Sequence, residues 1–143
     1  MEKNCVFCKI IAGEIPAAKV YEDEKALAFL DIAPFNFGHT LVIPKEHCHC
    51  FTEIPAETLA AMMAAAQKLA VAIMRATGAP AYNLVMNNGQ VAGQEIPHAH
   101  LHIIPRLVDD AVTFTASKKR YEGDALTELA NKIQERLNKN AAK

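Results

Sequence analysis

The chain has 143 residues, 51% of them hydrophobic and 22% charged, which is enough for one compact domain of ordinary globular composition with a buried core. Fifteen basic and 16 acidic residues leave a formal charge of −1, which excludes a global cationic field that would recruit nucleic acid or an anionic membrane. A phosphate-bearing ligand therefore has to be caught by a local site.

In chain order, the N-terminus enters an apolar run broken by Cys8, Lys9, Gly13 and Glu14, without the length and flanks of a signal peptide. Residues 5–13 read as a short helix stopping near Gly13. Residues 18–21 and 26–31 are strand-like, separated by the turn-prone Glu22-Asp23-Glu24-Lys25. Residues 34–38 form a loop, and Thr40-Leu41-Val42-Ile43, ended by Pro44, has the signature of a buried strand. From Pro55 to Thr77 the apolar residues Leu59, Met62, Met63, Ala66, Leu69, Ala70, Ile73 and Met74 keep the three-and-four spacing of a helix face, with Gly78 and Pro80 at its exit. Its most apolar part, residues 59–74, contains Gln67 and Lys68 and reads as too polar and too short to span a membrane. Residues 82–86 form the next strand, Asn87-Asn88-Gly89 turns the chain, and residues 98–105 form another strand. The tail from Asp124 to Asn140 is an amphipathic helix with Leu126, Leu129, Ile133 and Leu137 on one side. Glu128/Lys132 and Glu135/Lys139 stand at i,i+4 on the solvent side and support it weakly. No repeat, low-complexity tract or linker interrupts the chain. The expectation is a single α+β domain over residues 1–143, soluble and cytoplasmic, with neither nucleic acid nor membrane as a partner.

Four cysteines occur as Cys5-x-x-Cys8 and Cys48-x-Cys50. With no sign of export, a reducing compartment makes them thiols or metal ligands rather than disulfides.

The most informative segment is His98-Ala99-His100-Leu101-His102-Ile103-Ile104-Pro105-Arg106. Alternation along a strand puts His98, His100 and His102 on one face and Ala99, Leu101 and Ile103 on the other, with same-side residues about 6.5–7 Å apart. The apolar set can enter the core, leaving three imidazoles on the opposite surface. An imidazole, with an unperturbed pKa near ~6.5, serves as a neutral nucleophile toward phosphorus or as a proton donor at cellular pH. Histidines at i,i+2 on a strand are also good zinc ligands, and spacing alone does not rank the two uses. Upstream, residues 87–94 hold two glycines and several amides, a composition suited to a turn whose N–H groups face an anion, and equally to a plain turn.

These residues resemble the histidine-triad (HIT) family, whose signature is His-x-His-x-His followed by apolar residues, here His98, His100, His102, Ile103 and Ile104. The resemblance extends to Phe29-Leu30-Asp31-Ile32-Ala33-Pro34, to Gly38-His39-Thr40-Leu41-Val42-Ile43-Pro44-Lys45, and to Ala92-Gly93-Gln94 through Pro105-Arg106. It covers residues 5–106 and leaves the tail from residue 107 largely outside. It implies a HIT-like fold, an antiparallel sheet of about five strands flanked by helices, extended across a homodimer with a purine nucleotide site in each subunit.

By that resemblance His100 is the nucleophile that forms a nucleotidyl-histidine intermediate, His102 lies beside the α-phosphate, and His39 completes the catalytic set. Asp31 holds the ribose hydroxyls with Ile32 beside the base, and Asn87, Gly93 and Gln94 form the phosphate-side wall. The implied activity is hydrolysis at the α-phosphorus of nucleoside phosphoramidates or dinucleoside polyphosphates, releasing a nucleoside monophosphate. A nucleotide-binding scaffold with negligible turnover and a metallohydrolase with catalytic zinc are the alternatives.

In one bacterial branch of the family an N-terminal Cys-x-x-Cys joins two histidines around zinc. The matching positions here are Cys5, Cys8, His47 and His98, a closed two-thiolate, two-imidazole set of the structural kind. Cys48, His49 and Cys50 adjoin it, and Cys48 and Cys50 are read as plain thiols. Glu95 stands where many relatives have Ser, which leaves the leaving group open.

Overall fold

The computed structural model describes residues 2–141. They fall into two compact units, one running to Val112 and one starting at Thr113. In the first unit the elements follow as α1 (Val6–Ile11), β1 (Lys19–Glu22), β2 (Ala26–Leu30), β3 (Thr40–Pro44), α2 (Ala56–Thr77), β4 (Ala81–Val85) and β5 (Leu101–Arg106), with 3-10 turns at Phe51–Glu53 and Gln90–Ala92. The five strands make one antiparallel sheet in the order β1-β2-β3-β5-β4. The α+β class and the five-stranded antiparallel sheet are as the sequence leads one to expect.

Local chemistry explains the joints. At the β1–β2 hairpin, Asp23 Oδ1 accepts from the amides of Lys25 and Ala26, both at 2.7 Å, and Tyr21 donates its hydroxyl to Asp23 Oδ2 at 2.8 Å. The α2 helix ends at Gly78, whose left-handed φ of +73° turns the chain out while its N–H closes on the Met74 carbonyl.

The sheet has two covered faces, so its middle strands are apolar on both sides rather than alternating. On one face Ala26, Ala28, Val42, Leu101 and Ile103 pack with Met62, Ala66, Leu69, Ala70 and Ile73 of α2. On the other, Leu27, Phe29, Leu41 and Ile43 pack with Phe7, Cys8 and Ile10 of α1. The β3–β5 register places Leu41 beside His102 and Val42 beside Leu101, so the triad side chains share the face that α1 covers.

By length and composition α2 passes the test for a membrane-crossing helix, contrary to the reading of residues 59–74. The 22-residue helix exceeds that core stretch. Its buried side, from Thr58 through Ile73, lies against β2, β3, β4 and β5, which makes it the core helix of the unit.

The second unit contains α3 (Ala125–Ala141), in which Leu126, Leu129, Ile133 and Leu137 are all exposed.

Candidate active site

The expected strand over residues 98–105 begins three residues late, at Leu101. Pro97 removes one donor, and the Ala99 amide bonds to the Cys48 carbonyl at 2.7 Å instead of to a strand neighbour. The expected imidazole row on an open surface is also corrected. His98 and His100 are buried and only His102 stays partly exposed, because α1 lies over that face. Phe7 meets the rings of His98 and His100 edge-on, at centroid distances of 5.7 and 5.3 Å. Phe7 escaped the sequence reading, since nothing local signals a contact between positions more than ninety residues apart.

Hydrogen bonds to main-chain groups assign the imidazole protons. His100 places Nδ1 2.6 Å from the His98 carbonyl, which can only accept, so Nδ1 carries the proton and Nε2 the lone pair. Nε2 of His100 is not among the sealed, unpartnered nitrogens of the described residues. The amide of Phe35 donates to His39 Nδ1 at 3.2 Å, so neutral His39 is protonated at Nε2. That nitrogen lies 2.9 Å from His102 Nδ1 and donates to it, which puts the remaining His102 proton on Nε2. The ring centroids of His100 and His102 stand 4.8 Å apart. A lone pair on His100 and an N–H on His102 are therefore neighbours.

Burial pushes the His39 imidazole below the ordinary histidine value, against an opposing pull from Asp31. Burial, then the neighbouring His100 and His39, pushes His102 down to about 4. Both rings are neutral near pH 7, in keeping with the proton assignment.

Asp31 follows β2 directly, with Oδ1 accepting from the Ala33 amide at 2.9 Å and Oδ2 3.7 Å from His39 Nε2. Ile32 beside it is fully exposed. Asp31, His39 and His102 bring three potential metal-ligand atoms together. His39 Nε2 must hold its proton while Phe35 donates to Nδ1, so these contacts form a hydrogen-bond relay and not a ligand set.

Of the loop residues, Asn87 Nδ2 reaches the Gly93 carbonyl at 3.5 Å. The Gln94 side chain is spent on bracing. Oε1 accepts from Gly89 at 2.8 Å, and Nε2 donates to the carbonyls of His49 at 2.6 Å and Ile96 at 3.0 Å. Glu95 is exposed.

Cys5, Cys8, His47 and His98 converge as a second cluster at the N-terminus of α1. His98 donates Nε2–H to the Pro44 carbonyl at 2.9 Å, which leaves its Nδ1 lone pair facing the sulfurs. Burial pushes the Cys8 thiol up. Nε2 of His47 is the buried side-chain nitrogen or oxygen without a partner among the described residues. Cys48 belongs to the α2 face of the core, Cys50 contacts Thr52, and His49 is exposed with its ring edge-on to His47, so none of the three joins the quartet.

The HIT domain model matches residues 12–108, which contain the relay and the triad. The chain belongs to the HIT family. Among its curated HIT relatives, an uncharacterised HIT-like protein of Methanocaldococcus jannaschii is 55% identical over 74% of this chain and 81% of its own length. An Arabidopsis thaliana protein named as an adenylylsulfatase is 45% identical over 85% of this chain and 61% of its own length. An adenosine 5'-monophosphoramidase of Schizosaccharomyces pombe is 46% identical over 72% of this chain and 74% of its own length. A Streptococcus mutans structure superposes with a TM-score of 0.91 at 42% identity, covering 96% of this chain and 87% of that one. A zinc-bound histidine-triad family protein of Mycobacterium smegmatis superposes with a TM-score of 0.73 at 44% identity, covering 82% and 85% of the two chains.

The quartet of this HIT protein fits a tetrahedral zinc ion. Zn–S near 2.3 Å and Zn–N near 2.0–2.1 Å require ligand atoms roughly 3.3–3.8 Å apart. The separations are 3.4 Å for Cys5 Sγ to His98 Nδ1, 3.4 Å for Cys8 Sγ to His47 Nδ1, 3.7 Å for Cys8 Sγ to His98 Nδ1, and 3.2 Å between the two Nδ1 atoms.

Proposed function

We propose that this HIT protein is a nucleotide hydrolase that opens the α-phosphorus bond of nucleoside phosphoramidates or dinucleoside polyphosphates through a covalent intermediate on His100. The observation that carries the reading is the 2.6 Å bond from His100 Nδ1–H to the His98 carbonyl, beside a His102 ring whose proton is on Nε2. The names of two relatives, an adenylylsulfatase and an adenosine 5'-monophosphoramidase, support adenylyl-linked substrates.

The His100 Nε2 lone pair attacks the α-phosphorus, and the bond to the leaving nitrogen or oxygen breaks with its electron pair going to the leaving group. His102 keeps its Nε2 proton and donates it as a hydrogen bond to the phosphoryl group, with His39 donating to it from behind, while the leaving group takes its proton from bulk water. Water then attacks the same phosphorus and gives its proton back to solvent, the P–N bond to His100 breaks with its electron pair returning to Nε2, and a nucleoside monophosphate leaves. Asp31, with an oxygen left for a vicinal diol, holds the ribose with Ile32 beside the base. Asn87 and Gly93 form the phosphate-side wall that Gln94 braces. Cys5, Cys8, His47 and His98 would hold a structural zinc ion that clamps α1 over the triad.

The same reading includes a homodimer joined along β4. That strand is one of the two sheet edges, with Tyr82 and Leu84 about two-fifths exposed. The unpaired thiols support a cytoplasmic location.

Rapid quenching with an adenosine phosphoramidate, followed by mass spectrometry, is expected to find an adenylyl group on His100. His100→Ala is expected to lose at least about a thousandfold in turnover while still binding adenosine monophosphate. Ordinary turnover by that variant would overturn the reading.

A further inference from the structure

One polar cluster of the first unit plays no part in the chemistry above, yet it is built on the loop that delivers His39. The Asn36 main-chain carbonyl accepts from the His39 amide at 3.1 Å. Asn36 also follows Phe35, whose own amide fixes the His39 tautomer. The two Asn36 side-chain protons are both committed, one to the Pro105 carbonyl and one to Asp110 Oδ2, each at 2.9 Å.

Asp110 is a carboxylate with a full set of donors. Oδ1 takes Arg106 Nη2 at 2.8 Å and the Val112 amide at 3.2 Å, while Oδ2 takes Arg106 Nε at 2.8 Å and the Leu107 amide at 2.9 Å besides Asn36. Its side chain is 5% exposed. Arg106 also donates to Asn83 of β4 at 2.8 Å and to the Val112 carbonyl at 2.7 Å. The residue before Asp110, Asp109, is the non-glycine residue of the described chain with a left-handed φ, +59°. Strain of that kind persists only where the surroundings over-determine it.

We propose that Asn36 is a positioning residue that keeps His39 protonated at Nε2 and His102 at Nε2, with the Arg106–Asp110 pair as the fixed post to which it is tied. The link is short. Tethering Asn36 to the end of β5 fixes the turn through residues 35–39, and that turn presents the Phe35 amide to His39 Nδ1. Release of the tether frees His39 to flip its ring or exchange its tautomer, and His102 then loses the donor that commits its own proton to Nε2. The Arg106–Asp110 pair keeps four hydrogen bonds to the carboxylate after Asn36 is removed, so the post outlasts the tether.

The effect on turnover rests on the hydrolase reading above, but the tautomer effect does not. The test is nitrogen-15 NMR of the imidazoles in the substrate-free protein, run beside steady-state kinetics for wild type, Asn36→Ala and Asn36→Gln. In wild type, His39 and His102 are each expected as a single tautomer protonated at Nε2. Asn36→Ala is expected to show mixed tautomers at both rings and to lose about tenfold in kcat, with a smaller change in KM. Asn36→Gln, which keeps both donors, should recover most of each. Unchanged tautomers in a folded Asn36→Ala, or a wild type already mixed, would overturn the proposal whatever the activity. If Asn36→Ala does not fold, the Asn36→Gln spectrum decides, since mixed tautomers in a folded chain with both donors present contradict it. Altered tautomers in Asn36→Ala beside a single-tautomer wild type that never turns over substrate leave the positioning role standing and remove the hydrolase reading.

Discussion

The amide of Phe35 and the carbonyl of His98 between them assign the protons of three imidazole rings. Neither group is a side chain, so a list of histidines says nothing about which ring can attack and which can donate. The same burial that orders these rings makes them costly to protonate. His102 has a folded value of about 4 against an ordinary value of 6.5, so between those pH values the unfolded chain binds more protons than the folded one. Stability therefore falls as pH drops from about 6.5 toward about 4, with His39 contributing in the same direction. Chemical denaturation at a series of pH values is expected to show this slope, and His102→Gln should make it shallower. A His102→Gln variant with the wild-type slope would mean that this ring does not carry the effect.

At the scale of elements, β5 and the β2–β3 loop have to meet at a fixed distance for His102 and His39 to touch. Gly38 makes the meeting possible. Its φ is +96°, and a Cβ there would come within 2.7 Å of Thr77 Cγ2 and 3.2 Å of Pro105 Cγ. Gly38→Ala thus combines left-handed strain with overpacking against α2 and β5, an expected loss of roughly 2–4 kcal/mol. Gly78→Ala shares the left-handed backbone at φ +73° but meets nothing within 4 Å, so its expected cost is about 1–2 kcal/mol. Urea unfolding of the two variants compares them directly. Equal losses would show that the contact with Thr77 contributes nothing.

For the molecule as a whole, α1 seals one face of the sheet with six residues, too few for a helix that stands by itself. Phe7, Cys8 and Ile10 supply an apolar contact, and the quartet offers a second hold through Cys5 and Cys8. The purified protein is expected to carry about one zinc ion per chain by elemental analysis. Its removal by a chelator should lower the melting temperature by at least about 5 °C and reduce nucleotide hydrolysis along with it. Loss of activity at an unchanged melting temperature, restored by zinc, would assign the metal to catalysis and defeat the structural role.

Much of this was legible in the residues themselves. Period-two spacing told that Ala99, Leu101 and Ile103 face the core opposite the histidines, and three-and-four spacing located α2 to within a residue, because both depend only on local backbone geometry. The Cys-x-x-Cys and histidine positions, read through the family resemblance, named the quartet that the fold brings together. The fold alone decided that His98 and His100 are buried, since that follows from α1 crossing the sheet face some ninety positions away in sequence. It also decided the tautomers, the bracing use of Gln94 and the tie from Asn36 to Asp110. Each of these depends on where a main-chain N–H or carbonyl of a distant segment comes to rest, and no spacing along one strand encodes that.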